Sequence, residues 1–404
     1  MAQPSMGYVC RTCRQALRSK KPASVRATTT RSFSSTPQNA KTLATFTSTS
    51  SPELDTLLTS WRNQIFLPSI LPPHHQALIY KKSRHDILTT PPGVTVTVQT
   101  ALPPSAENAS QAGEENIKLI PMNKFDRPNK DKSLQQICEQ LSSTKETAAW
   151  DNIIPFLEGM RTARYDVPDQ FIEKLTRKAN EQAQYNTILR AATMVKRTGL
   201  RLSKRQVARE LVLGLHRRAV ESSYKLAEPS KTLKKIVNTL EDKEHCGALS
   251  QKDLETGHKD MRRDPVVVAA VLEQASAASL TQYNQKDHNG VVASAVSKLI
   301  ALADALPGGI VGNIEKESGP DGDRFVLEDL VVVSNALALA VKVDMTQTLG
   351  KEKNIKTVLA MREQLKKVNA RIDVVKPKVV AEANGKPRRA LQMFDAAAKA
   401  QKAL

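Results

Sequence analysis

A chain of 404 residues, 40% of them hydrophobic, can bury a core of ordinary size in two or three domains. Sixty Lys and Arg against 41 Asp and Glu leave a formal net charge of +19, so the surface suits polyanionic partners rather than cationic ones. Of four cysteines Cys138 and Cys246 are isolated, so no disulfide framework is implied, and aromatics at only 4%, beside abundant Ala, Leu, Val and Lys, favour helices over sheets.

No acidic residue precedes Glu53, whereas Arg11, Arg14, Arg18, Lys20, Lys21, Arg26, Arg31 and Lys41 lie among many Ser and Thr. An Arg-rich, Ser-rich, acid-poor start describes a mitochondrial presequence, drawn inward by the membrane potential. Arg31-Ser32-Phe33-Ser34-Ser35 resembles a matrix-peptidase site, with the cut after Phe33 and a matrix protein as the product. The rival reading is a basic tail that binds nucleic acid directly. Cys10 and Cys13 form a CxxC without a second pair, which is incidental rather than half a zinc site.

Residues 34–132 read as an extended arm and linker. Prolines 68, 72 and 73 forbid long helices between Trp61 and the cluster Tyr80-Lys81-Lys82-Ser83-Arg84-His85. Such a segment is either an arm laid over a partner or a surface loop packed on its own domain. Val94 to Val98 alternates as a short strand does. His74, His75 and His85 lack the Cys or His partners of a metal site, so no metal and no cofactor is expected. A polar linker follows over 103–132.

From Ser133 onward helical periods take over: 133–142, 146–162, 168–182, 184–198, 203–222, 230–243, 264–280, 289–306, 327–343 and 352–382. The loop 307–324 is rich in Gly and Asp, and the tail after Asn384 is Ala/Lys-rich. A basic helical-hairpin domain, 133–245, and a second helical domain, 246–404, are expected. A 35-residue offset relates Trp150 to Tyr185, Ile153 to Ile188, Met160 to Val195, Pro168 to Ser203 and Ile172 to Val207. Each unit reads as helix, turn, helix, and the length resembles the pentatricopeptide class, whose arrays read RNA. With only two units visible, a degenerate scaffold is the better expectation. The fold class is therefore mostly α: helical hairpins, degenerate and repeat-like, with an extended Pro-rich N-terminal arm and a small β element.

Between Arg161 and Lys235 eighteen Lys or Arg stand against seven Asp or Glu. On a helix over 203–222, Val207, Ala208, Leu211, Val212, Leu215 and Ala219 share one face and Arg205, Arg209, His216 and Arg217 the opposite one. Arg201 and Lys204 extend the row. Guanidiniums grip phosphate bidentately, so Arg201, Lys204, Arg205, Arg209 and Arg217, together with Lys81, Lys82 and Arg84 on the arm, are the expected RNA contacts.

No GxxxxGK[ST], GxSxG or HExxH occurs, and Gly309-Ile310-Val311-Gly312 lacks the surroundings of an RNA-clamping loop. No uninterrupted apolar run of spanning length follows; Val326 to Val343 contains Glu328, Asp329 and Lys342. A presequence, a basic idiosyncratic body, a Pro-rich arm and no catalytic motif resemble mitochondrial ribosomal proteins of the fungal type, in particular the large-subunit protein fifty family. That resemblance implies a non-enzymatic structural role, with ribosomal RNA and neighbouring ribosomal proteins as partners. The alternative is a free matrix helical-repeat factor that acts on mitochondrial transcripts.

Overall fold

Apolar periodicity at 3.6 residues needs a partner surface, and here each helix finds it on the next. The computed structural model describes residues 42–100, 113–318 and 322–403. The expected presequence, its cut at Phe33 and the Cys10–Cys13 pair lie outside the described residues. Lys41–Leu404 form one compact unit.

The Pro-rich segment starts helices rather than extending. Helix α1 (Pro52–Trp61) is capped by Ser51, whose Oγ accepts the Leu54 N–H at 3.3 Å. It runs on through a wide turn, Arg62–Phe66, and a short turn, Leu67–Ile70. Helix α2 (Pro73–Tyr80) begins on proline as α1 does, and a missing N–H costs nothing at a first turn. Trp61 and Phe66 are buried against Phe156, with ring centroids 5.3 and 5.8 Å apart in edge-on geometry. Of the two readings of this segment, its described part is packed on its own domain.

Strand β1 (Thr95–Thr100) pairs antiparallel with β2 (Gly113–Lys118), Thr95 opposite Lys118 and Thr100 opposite Gly113. β1 carries the alternation seen in the sequence. Gly-Glu-Glu-Asn-Ile-Lys has almost no apolar alternation, and its place in the expected linker hid β2. Residues before α1 are tied to the helical body: Asn152 brackets Thr47, accepting its N–H and donating to its C=O, both at 2.8 Å.

The body comprises α3 (Lys130–Ser143), α4 (Ile153–Thr162), α5 (Asp169–Glu181), α6 (Tyr185–Thr193), α7 (Arg205–Glu221), α8 (Glu228–Glu241), α9 (Pro265–Gln282), α10 (Val291–Ala305), α11 (Gly309–Ser318), α12 (Asp323–Ala340), α13 (Lys351–Ala383) and α14 (Arg389–Ala403). Helices α3, α5, α7, α9, α12 and α14 pack in succession, each against the next, and α12 and α14 fold back onto α7. Helices α4, α6 and α8 form a second layer. The mostly α reading with a small β element holds. Helix α11 replaces part of the expected loop 307–324, because the left-handed turn at Gly308 and Gly309 (φ +74° and +68°) lets Ile310 and Ile314 turn inward.

The 35-residue offset corresponds to equivalent places in this array. Trp150 and Tyr185, Ile153 and Ile188, and Met160 and Val195 are all buried pairs. Arg164 and Gly199, 35 apart, are both left-handed (φ +56° and +77°) where the chain turns toward α5 and α7. Arg190–Asp151 at 2.8 Å and Arg197–Glu158 at 2.9 Å bridge the two units. Ser203, the match of Pro168, does not cap α7: its Oγ sits 2.6 Å from His258 Nδ1.

Candidate nucleic-acid interface

The helical wheel of α7 assumes that one face is wet. Helices α5, α9, α12 and α14 surround it instead, so the face opposite the apolar stripe is also inside. This corrects the expected outward row: Arg205 and Arg209 are only 8% and 6% exposed, and His216 is buried. Arg209 Nε donates to Asp329 Oδ1 at 2.7 Å and its Nη2 to Glu328 Oε2 at 3.1 Å. Arg205 Nη2 donates to Asp329 Oδ2 at 2.9 Å and its Nε to Asp264 at 3.2 Å. Arg389 on α14 reaches back with a fork to Glu210, at 2.6 and 2.9 Å, and a second to Glu328. Burial alone would raise the Glu328 carboxyl, but Arg389 and Arg209 hold it below the usual carboxylate range. These guanidiniums neutralise the protein's own carboxylates.

A second buried network lies about two turns further along α7. His216 Nδ1, the Tyr224 hydroxyl and the Asn335 amide all meet Glu273, at 2.8, 2.5 and 2.7 Å. Gln401 on α14 donates to Asn335 Oδ1 at 2.8 Å.

The remaining expected contacts, on α7 and the turn before it, are half-exposed and engaged. Arg201 donates to Asp253 at 2.8 Å, Lys204 to Asp169 at 3.2 Å, and Arg217 faces Glu221 at 3.5 Å.

The arm cluster is different. Lys81, Lys82 and Arg84 are exposed on a short 3₁₀ turn after α2, and no carboxylate among the described residues forms an ion pair with them. The chain returns beside them: Met122 N–H donates to Ile79 C=O at 3.0 Å. A second 3₁₀ turn, Lys124–Asp126, therefore joins the patch. Arg127 donates to the Tyr80 hydroxyl at 2.8 Å, and Lys124 Nζ lies 5.4 Å from the Tyr80 ring centroid. Phe125 is 94% exposed at its edge. The sequence reading passed over Phe125; the signal was a lone aromatic between bases in Lys-Phe-Asp-Arg, inside a segment set aside as linker. Exposed cations around two rings suit phosphate and base contact together. Among the described residues no group of three or more His, Cys, Asp or Glu could hold a metal ion, and no single helix is long and apolar enough to cross a membrane. The His74 and His75 rings lie 3.9 Å apart with their planes tilted by 51°.

The family described as mitochondrial ribosomal protein mS27 matches residues 31–396, which is nearly the whole described chain. The chain belongs to the mitochondrial ribosomal protein mS27 family. A curated relative from Neurospora crassa, the small ribosomal subunit protein mS27, is 29% identical over 273 residues, covering 65% of this chain. The chain spans 64% of that relative's length. The resemblance to the large-subunit protein fifty family is thereby overturned. It rested on organisation and presequence style, which ribosomal proteins of either subunit share. The mitochondrial ribosomal class itself stands, and mS27 membership spans the N-terminal segment and both halves of the helical array.

Proposed function

We propose that the chain is a structural constituent of the small subunit of the mitochondrial ribosome, residing in the matrix and contacting ribosomal RNA and neighbouring proteins without catalysis. The family match over residues 31–396 carries this reading, and the small-subunit name of the Neurospora relative points to the subunit. The RNA contact is assigned to the patch of Lys81, Lys82, Arg84, Lys124 and Arg127, whose cations face outward with Tyr80 and Phe125 among them. Phosphate neutralisation by such a patch releases counterions, so affinity falls steeply with salt. Arg201, Lys204 and Arg217 are secondary contacts, since each would have to exchange an intramolecular carboxylate for phosphate.

The test is affinity capture of the tagged full chain from mitochondria, followed by sequencing of the RNA recovered. Small-subunit ribosomal RNA should dominate over large-subunit RNA. Enrichment of messenger transcripts without ribosomal proteins would favour the free-factor alternative.

A further inference from the structure

The layer formed by α4, α6 and α8 opens after α8. A connection, residues 242–264, separates α8 from α9, and a cleft of about 370 Å³ lies between α8, α9 and the start of α10. Its floor is α9, where Ala275 and Ala278 present only methyl groups, so space remains above them. Leu226 and Val291, each 45% exposed, form apolar walls.

The polar groups at this cleft are unusual for an unoccupied surface. Gln274 is 8% exposed, lines the cleft, and forms no side-chain hydrogen bond among the described residues. Its carboxamide atoms are not among the fully buried polar atoms left without a partner, so they open on the cleft and are free to donate to and accept from an occupant. Tyr283 and His288 lie stacked at the rim, with centroids 5.3 Å apart and planes at 19°, and Tyr283 is 40% exposed. Lys231 and Lys234, one turn apart on α8, are exposed and form no ion pair among the described residues. Neither nearby carboxylate opposes them. Asp287 is consumed by the N–H groups of Val292 and Ala293, at 3.2 and 2.9 Å, and Glu228 by Arg218 at 3.3 Å.

We propose that this cleft receives one unpaired nucleotide of RNA. The base lies against the Tyr283–His288 stack and between the apolar walls. The Gln274 carboxamide, which both donates and accepts, pairs with the base edge. Lys231 and Lys234 take the flanking phosphate. A neutral peptide would fit the walls but give the two exposed lysines no anion, which a nucleotide's phosphate supplies together with a flat ring for the Tyr283–His288 stack. The proposal rests on the reading of the chain as an RNA-contacting subunit, and its test separates the two.

Fluorescence anisotropy of the purified full chain with a labelled single-stranded octanucleotide, and with the duplex of the same sequence, measures the site. Tyr283→Ala, and Lys231→Glu with Lys234→Glu, should each weaken single-strand binding about tenfold and leave duplex binding nearly unchanged. The Tyr283 and Lys231/Lys234 positions are surface-exposed, and unaltered thermal unfolding of each variant verifies the fold. Photocrosslinking of a 4-thiouridine octanucleotide should mark the peptide containing Tyr283 and His288. Equal affinities across wild type and variants, with crosslinks mapping to Lys81–Arg84, would overturn the cleft and leave RNA contact at the patch standing. Absence of wild-type binding to either RNA would overturn both. Crosslinks in intact small subunits that join Lys231 or Lys234 to a neighbouring protein would overturn the nucleotide in favour of a peptide occupant.

Discussion

Arg209 Nε donates to Asp329 Oδ1 at 2.7 Å, joining α7 to α12 across 120 positions of sequence. Asp329 is fully buried and also accepts from Arg205, so one carboxylate bridges two guanidiniums. Removing it leaves two buried cations short of a partner. Asp329→Ala should therefore destabilise the fold by about 3–5 kcal/mol, measured from the urea midpoint at constant m-value. A loss within 0.5 kcal/mol, roughly the scatter of surface substitutions, would mean that water reaches this network.

Arg389 fixes the last helix to the array through Glu210 and Glu328. Arg389→Ala should loosen α14 before anything else unfolds. Amide hydrogen exchange over 389–403 should quicken, while that of α4 and α6 stays as in the wild type. Uniform acceleration throughout would assign Arg389 to global rather than local stability.

Glycine to alanine inside a helix usually stabilises, by roughly 0.5–1 kcal/mol. Gly159 on α4 is an exception the structure identifies, because a Cβ there would lie 2.5 Å from Phe66 Cε2. Gly159→Ala should cost about 1–3 kcal/mol through overpacking, with Phe66→Leu in the same chain restoring part of it. A stabilising Gly159→Ala would show that the Pro-rich segment does not sit on α4.

His245 supplies a pH dependence of defined sign. Its Nδ1 accepts the Leu202 N–H at 2.9 Å and its Nε2 faces the Ala192 carbonyl at 3.1 Å, so the neutral ring satisfies both. Burial, the largest cause, lowers its pKa below the usual 6.5. The unfolded chain thus takes up the proton first, and stability declines as pH falls below the unfolded value. The melting temperature should drop between about pH 7.5 and 5.5, near the ordinary histidine range, and His245→Gln should flatten part of that decline. At lower pH Glu328, held below the usual carboxylate range, adds a second loss as its carboxylate protonates.

Much of the array was legible because its apolar periods are local. The spacing placed every helix from α3 to α10, together with α12 and α13, within a few residues, and the 35-residue offset paired Trp150 with Tyr185 and Ile153 with Ile188, which occupy equivalent buried places. The role of α7 was not legible. Its wheel shows one apolar face, and whether the other is wet depends on α12 and α14, more than a hundred residues away. The clue lay at Glu328-Asp329, two acids inside an apolar run, read as a bar to membrane insertion and not as the partners of Arg205 and Arg209. β2 and Phe125 were missed for a related reason: both take their meaning from a neighbour, β1 in one case and Tyr80 in the other.

Lys81, Lys82 and Arg84 make no intramolecular ion pair among the described residues, so their replacement should spare stability. The triple change to Glu should leave urea unfolding within about 0.5 kcal/mol of wild type, while the salt needed to strip the protein from ribosomal particles falls. Unchanged retention at every salt concentration would remove the patch from the RNA contact.

Sucrose-gradient sedimentation of mitochondrial lysate at low magnesium, which separates the ribosomal subunits, reads out small-subunit membership. The protein should travel with small-subunit ribosomal RNA throughout the gradient. Migration with large-subunit RNA, or retention at the top as free protein, would contradict it.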